Sequence, residues 1–87
     1  MDHSRIEEAE DFMLKGLQIL EDLELEPAYA TGCFSLCELY LSSGRVEKGL
    51  EVLAESEEMF NRMGMGFWLA QARNVLSRID RSPSREV

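Results

Sequence analysis

The sequence predicts an all-α fold of antiparallel helical hairpins, four helices stacked one against the next. Two observations carry that expectation. Apolar residues recur at three- and four-residue spacing along most of the chain, which is the period of a helix with one buried stripe. The chain also echoes itself when slid by forty residues, the scale of stacked helical hairpins. In that register Arg5-Ile6-Glu7 meets Arg45-Val46-Glu47, and Phe12-Met13 meets Val52-Leu53. Gly16 meets Ser56, Ile19-Leu20 meets Met59-Phe60, and Leu36 and Leu39 meet Leu76 and Ile79. Small residues fall on small ones and large apolar residues on large ones.

The elements follow in order. A first helix over 4–24 carries Ile6, Ala9, Phe12/Met13, Leu17, Leu20 and Leu23 at helical spacing. Ser4 is its expected N-cap, with Glu7 completing a capping box. Glu8, Glu10 and Asp11 add negative charge near the positive end of the helix dipole. Pro27 ends this segment and suits the first turn of a second helix over 27–42, which Ser42-Ser43-Gly44 closes. A third helix over 46–63 stops at Gly64 and Gly66, and a fourth covers 67–79. Residues 1–80 form one helical repeat domain, and the aperiodic polar stretch 81–87 is expected to be a disordered tail.

Composition excludes several functions. The 87 residues weigh 9.9 kDa and carry a net charge of −8 at a pI near 4.5. An acidic chain is a poor ligand for nucleic acid, which is bound by neutralising phosphates, and for an anionic membrane surface. No apolar run approaches the roughly 20 residues that span a bilayer, and no signal-peptide pattern opens the chain, so cytoplasmic localisation is expected. Cys33 and Cys37 lie one helical turn apart, and the one histidine, His3, is terminal. Those residues make no zinc ligand set, and neither metal nor cofactor is expected. Thr31, Ser35 and Ser42 lack a histidine to activate them, and Gly64-Met65-Gly66 lacks the lysine and strand of a phosphate loop, so no enzyme is expected. Met59, Met63 and Met65, with Trp68 beside them, read as adaptable filling around a loop, the alternative being an adaptable binding surface.

From Ala30 to Asn61 the chain resembles a tetratricopeptide repeat. Leu36 and Tyr40 fall at the large positions of the motif's first helix, Cys37 at its small position and Gly44 at the inter-helix turn. Gly49 and Ser56 fall at the small positions of the second helix and Leu53 at a large one, while Cys33 replaces the usual Trp and Asn61 the closing Pro. The resemblance covers residues 6–79. It implies a right-handed solenoid fragment of the long-period kind found in bacterial signalling proteins, and a non-catalytic protein–protein interaction module. The chain starts and ends halfway through a repeat, as a piece of a larger regulatory protein would. The alternative is a purely structural terminal segment with nothing in its groove.

Carrying over the groove positions implies Thr31, Phe34, Glu38 and Leu41 from the second helix, and Gln71, Asn74 and Arg78 from the fourth. Phe34 is the expected anchor for a protein or peptide partner, unless it folds onto its own neighbours. Arg73 and Asp80 are expected to give the fourth helix a wet, capping face. On the first helix Ile6, Met13, Leu17 and Leu20 are expected to form an exposed apolar strip, which would pair with a second copy as a homodimer or with an upstream domain.

Overall fold

The structure, a computed structural model, describes residues 3–80. The four helices are α1 (His3–Asp22), α2 (Glu26–Ser42), α3 (Val46–Met63) and α4 (Gly66–Asp80). Among the described residues there is no strand, and no helix is long and apolar enough to cross a membrane. The expected tail 81–87 lies outside the described residues.

Each helix packs on its neighbour in sequence, and the contacts run antiparallel. Phe34, midway along α2, meets late Phe60 in α3, while Leu41, near the end of α2, meets Gly49, near the start of α3. Tyr40 reaches back to Glu10 of α1, and Arg73 of α4 to Glu57 of α3. The result is flat, with extents of 45 × 34 × 15 Å. Its radius of gyration of 13.5 Å exceeds the ~12 Å of a compact chain of this length.

The three connections share one geometry, set at twenty-residue steps. At each, a residue with positive φ follows the helix: Glu24 at 57°, Gly44 at 86° and Gly64 at 70°. Its N–H donates to the carbonyl three residues back, at 3.0, 3.2 and 3.3 Å respectively. The next N–H donates to the carbonyl five residues back, at 2.9, 2.8 and 2.9 Å. This is the Schellman arrangement, which satisfies the last carbonyls of a helix before the chain turns. The residue after the positive φ then serves the next helix directly: Leu25, Arg45 and Met65 accept from the N–H of Tyr29, Gly49 and Leu69. One residue closes one helix and opens the next, so the helices are forced into close antiparallel pairs.

The start of α2 and both ends of α4 lie one residue from the sequence reading, and the two ends of α1 differ for a physical reason. Helix α1 ends at Asp22, two residues early, because the turn uses Glu24 where the others use glycine. The helix already includes His3, so Ser4 falls inside the first turn and not at its cap.

Helix α2 is buried on two sides. One face gives Ala30, Phe34 and Cys37 to a cluster completed by Leu53 and Phe60 of α3 and Ala72 and Val75 of α4. The other face sets Cys33, Leu36 and Tyr40 against Leu17 of α1. Small residues make the approach possible. A Cβ built on Gly49 would lie 2.7 Å from Leu41 Cδ2 and 2.9 Å from its Cγ, and one on Gly32 would lie 2.7 Å from Leu17 Cδ2. Ser56 is wholly buried, and its hydroxyl donates to the Leu53 carbonyl at 2.9 Å, so its burial leaves no unpaired polar group. Met59, Met63 and Met65 fill the margin of the first cluster beside Trp68, whose ring stacks on Phe60 at 6.0 Å.

Candidate functional site

The open surface between α2 and α4 holds a groove of about 560 Å³ lined by Glu38, Leu41, Ser42, Val46, Val75, Arg78 and Ile79. Its floor is aliphatic, because Leu41 and Val75 lie at the edge of the core cluster and Val46 opens α3 beside them. Glu38 and Arg78 add one charge of each sign at the rim. Both side chains are exposed, and no ion pair joins them among the described residues. An aliphatic floor with opposite charges above it suits an extended peptide segment: the floor takes a side chain and the guanidinium a carboxylate or carbonyl.

Of the seven groove residues expected from the sequence, Glu38, Leu41 and Arg78 come together here. Thr31 is half-buried, with its hydroxyl donating to the Ala28 carbonyl at 3.0 Å. Gln71 is half-buried and Asn74 exposed, and neither lines the groove. Phe34 requires a correction. Its side chain is 6% exposed and lies edge-on to Phe60 at 6.3 Å and Trp68 at 6.1 Å. It holds α2, α3 and α4 together and presents no ring to a partner. Val46, Val75 and Ile79 were missed, and the signal for them was the junction itself: Val46 is an exposed valine directly after a turn.

The expected apolar strip on α1 is also corrected. Ile6 and Leu17 are buried, and Met13 and Leu20 pack half-buried against the second cluster. Those four face α2. The apolar residues that α1 leaves in water are Phe12, Leu14, Ile19 and Leu23. At the other end of the molecule Arg73 is exposed, as a wet face of α4 requires, and pairs with Glu57 across the α3–α4 seam at 3.3 Å. The Asp80 side chain lies outside the described residues.

A polar cluster fastens α1 to the α2–α3 turn. The Tyr40 hydroxyl donates to Glu10 Oε2 at 2.6 Å, and Arg45 pairs with Glu10 Oε1 at 3.0 Å. Lys48 stands 3.8 Å from the same carboxylate and 5.5 Å over the Tyr40 ring. The Tyr40 hydrogen bond, helped by Arg45, holds the Glu10 carboxyl below its usual range against the opposing effect of burial. Burial and the Glu10 carboxylate push the Tyr40 hydroxyl up to about 12. All of these groups are mutually satisfied, which makes the cluster a clamp and gives it no free acid or base.

Burial pushes the thiols of Cys33 and Cys37 up to about 11, so both are protonated and inert at neutral pH. No group of three or more His, Cys, Asp or Glu side chains is placed to hold a metal ion among the described residues. A second hollow of about 420 Å³ opens at the α1–α2 turn, lined by Leu20, Glu21, Glu24, Leu25, Glu26, Tyr29 and Met59. Arg62 already pairs with Glu26 there, at 3.1 Å.

Comparison with known proteins returns no match: no family model, no curated protein and no solved structure is similar to this chain.

Proposed function

We propose that the chain is a non-catalytic interaction module, a fragment of a tetratricopeptide-like solenoid that holds an extended peptide or protein segment in the groove between α2 and α4. The supporting observation is the groove: an aliphatic floor of Leu41, Val46, Val75 and Ile79 beneath the exposed charges of Glu38 and Arg78. The twenty-residue step of the turns and the small residues at the seams agree with such a repeat. Two buried, free cysteines suit a cytoplasmic setting, and the resemblance supports a role in bacterial signalling or regulation. The site is small, so affinity for a single peptide is modest.

The test is a peptide array probed with the wild type and with Val46→Lys and Arg78→Glu, neither of which touches the buried core. Captured peptides lost in both variants, with unchanged thermal melts, support the groove. Phe34→Ala cannot serve, because it opens a core cavity. The burial of Phe34 is also the observation that favours a second reading, a structural terminal segment whose groove stays empty; no captured peptide for any of the three proteins would support it, and identical captured sets would move binding to the ends of the stack.

A further inference from the structure

Helix α1 presents a second surface, independent of the groove. Phe12 is 80% exposed, Ile19 58% and Leu23 62%, and with Gly16 they form one stripe at helical spacing on the side turned away from α2. In the forty-residue register these four correspond to Val52, Ile19's partner Met59, Met63 and, for Gly16, Ser56 of α3. In α3 those positions are half-buried or buried against the core, Ser56 wholly so. The α1 stripe therefore has the composition of a helix–helix seam, including a small residue at its centre, yet among the described residues no helix covers it. A Cβ built on Gly16 meets nothing within 4 Å, so another backbone can approach there.

We infer that this stripe is a self-association surface, with α1 of a second copy crossing antiparallel near Gly16. An antiparallel crossing at this point sets Phe12 of each copy beside Ile19 of the other. It also carries exposed Arg5 to the C-terminal end of the opposing helix, where the helix dipole is negative and Glu24 is exposed. The stripe is thus complementary to itself, as a two-fold interface must be. Its area fits the same occupant. The three large side chains expose about 400 Å² per copy, taking about 200 Å² for a full-sized apolar side chain. Paired, they bury about 800–1,000 Å² with their flanking methylenes, at the low end for specific complexes, which corresponds to a weak and reversible dimer.

Sedimentation velocity over about 5–500 μM, a range that brackets a dissociation constant of about 10–100 μM, tests the inference. The wild type is expected to shift from monomer toward dimer with concentration. Phe12→Glu and Ile19→Glu, both at exposed positions, are expected to remain monomeric with unchanged circular dichroism melts. Gly16→Cys supplies a second readout: mild oxidation is expected to yield a disulfide-linked dimer, which Phe12→Glu prevents, while buried Cys33 and Cys37 stay silent. A wild type that sediments as a monomer throughout, or variants that dimerise as it does, would overturn the inference. Arg78→Glu is expected to leave dimerisation unchanged, so failure here and failure of the groove remain distinct.

Discussion

Glu24→Gly should stabilise the protein. Glu24 occupies the same turn position as Gly44 and Gly64, at φ 57° against 86° and 70°, with the same pair of hydrogen bonds. A side chain in this left-handed conformation costs about 1–2 kcal/mol. Glycine returns about 0.4–1 kcal/mol of that through its greater freedom in the unfolded chain. Removing a carboxylate from the negative end of α1, where Glu21 and Asp22 already stand, adds a few tenths of a kcal/mol. The net gain is about 1 kcal/mol, or about 4–8 °C in Tm for a domain of this size. Urea and thermal unfolding followed by far-ultraviolet circular dichroism measure it. Glu24→Ala separates the causes, since it removes the charge and keeps the Cβ, and it should gain only the few tenths assigned to charge. Gly44→Ala and Gly64→Ala should each lose about 1 kcal/mol. An added Cβ meets nothing within 4 Å at either glycine, so that loss would be conformational and free of clash. If Glu24→Gly melts no higher than Glu24→Ala, the backbone argument is wrong.

Two further outcomes follow from the seams and the clamp. Gly49→Ala should destabilise by about 1–2 kcal/mol, because its Cβ would press on Leu41 Cγ at 2.9 Å, whereas Gly16→Ala should gain up to about 1 kcal/mol from helix propensity in open space. Chemical denaturation of the two variants side by side checks the opposite signs. Glu10→Gln should cost about 1–2 kcal/mol near neutral pH through the charged hydrogen bond from Tyr40. Because the folded-state pKa of Glu10 lies below its ordinary 4.5, that contribution is present above the ordinary value and fades as pH falls through the folded one. The gap between wild type and variant in urea melts should therefore hold from neutral pH down to the ordinary value of 4.5 and narrow below it. A gap independent of pH would mean that the neutral hydrogen bond alone matters.

The helices were legible because period and punctuation agreed. Gly44 and Gly64 sit at the turns, and Gly49, Ser56 and Cys37 sit where the rods close up. The turn at Glu24 was not legible from residue type, since glutamate is a helix former and its neighbours Glu21 to Glu26 continue the charge pattern. Only its twenty-residue distance from Gly44 marks it. The face of α1 was misread for a different reason. Its apolar residues cover most of the circumference, so periodicity alone leaves the rotation open, and Ile6, Met13 and Leu17 share one side while Phe12, Ile19 and Leu23 share another. The buried polar partner decides it: Glu10 lies next to the Ile6–Leu17 side and is tied to Tyr40. Phe34 was misplaced because a groove position carried over from a resemblance says nothing about how far α4 leans across α2. Here Trp68 and Val75 come close enough to cover the ring.

The two ends of the stack are built for different surroundings, and the forty-residue register shows how. On α2 the positions that meet the following helix are Ala30, Phe34 and Cys37, all buried. Their counterparts on α4 are Ala70, Asn74 and Ser77, of which the first two are exposed and the third half-buried. Exchanging a core phenylalanine for asparagine removes the apolar surface that a further helix would need, so this end is at rest in water. The exposed ring nearby, Phe67, lies edge-on to Trp68 at 5.5 Å. No such exchange occurs on α1, where Phe12 and Leu23 stand at the counterparts of Val52 and Met63 and are larger or equally apolar. Solubility alone would favour polar residues at both ends. Large apolar side chains kept at these register positions of α1, against their loss at the matching positions of α4, are what the self-association inferred for the α1 stripe requires.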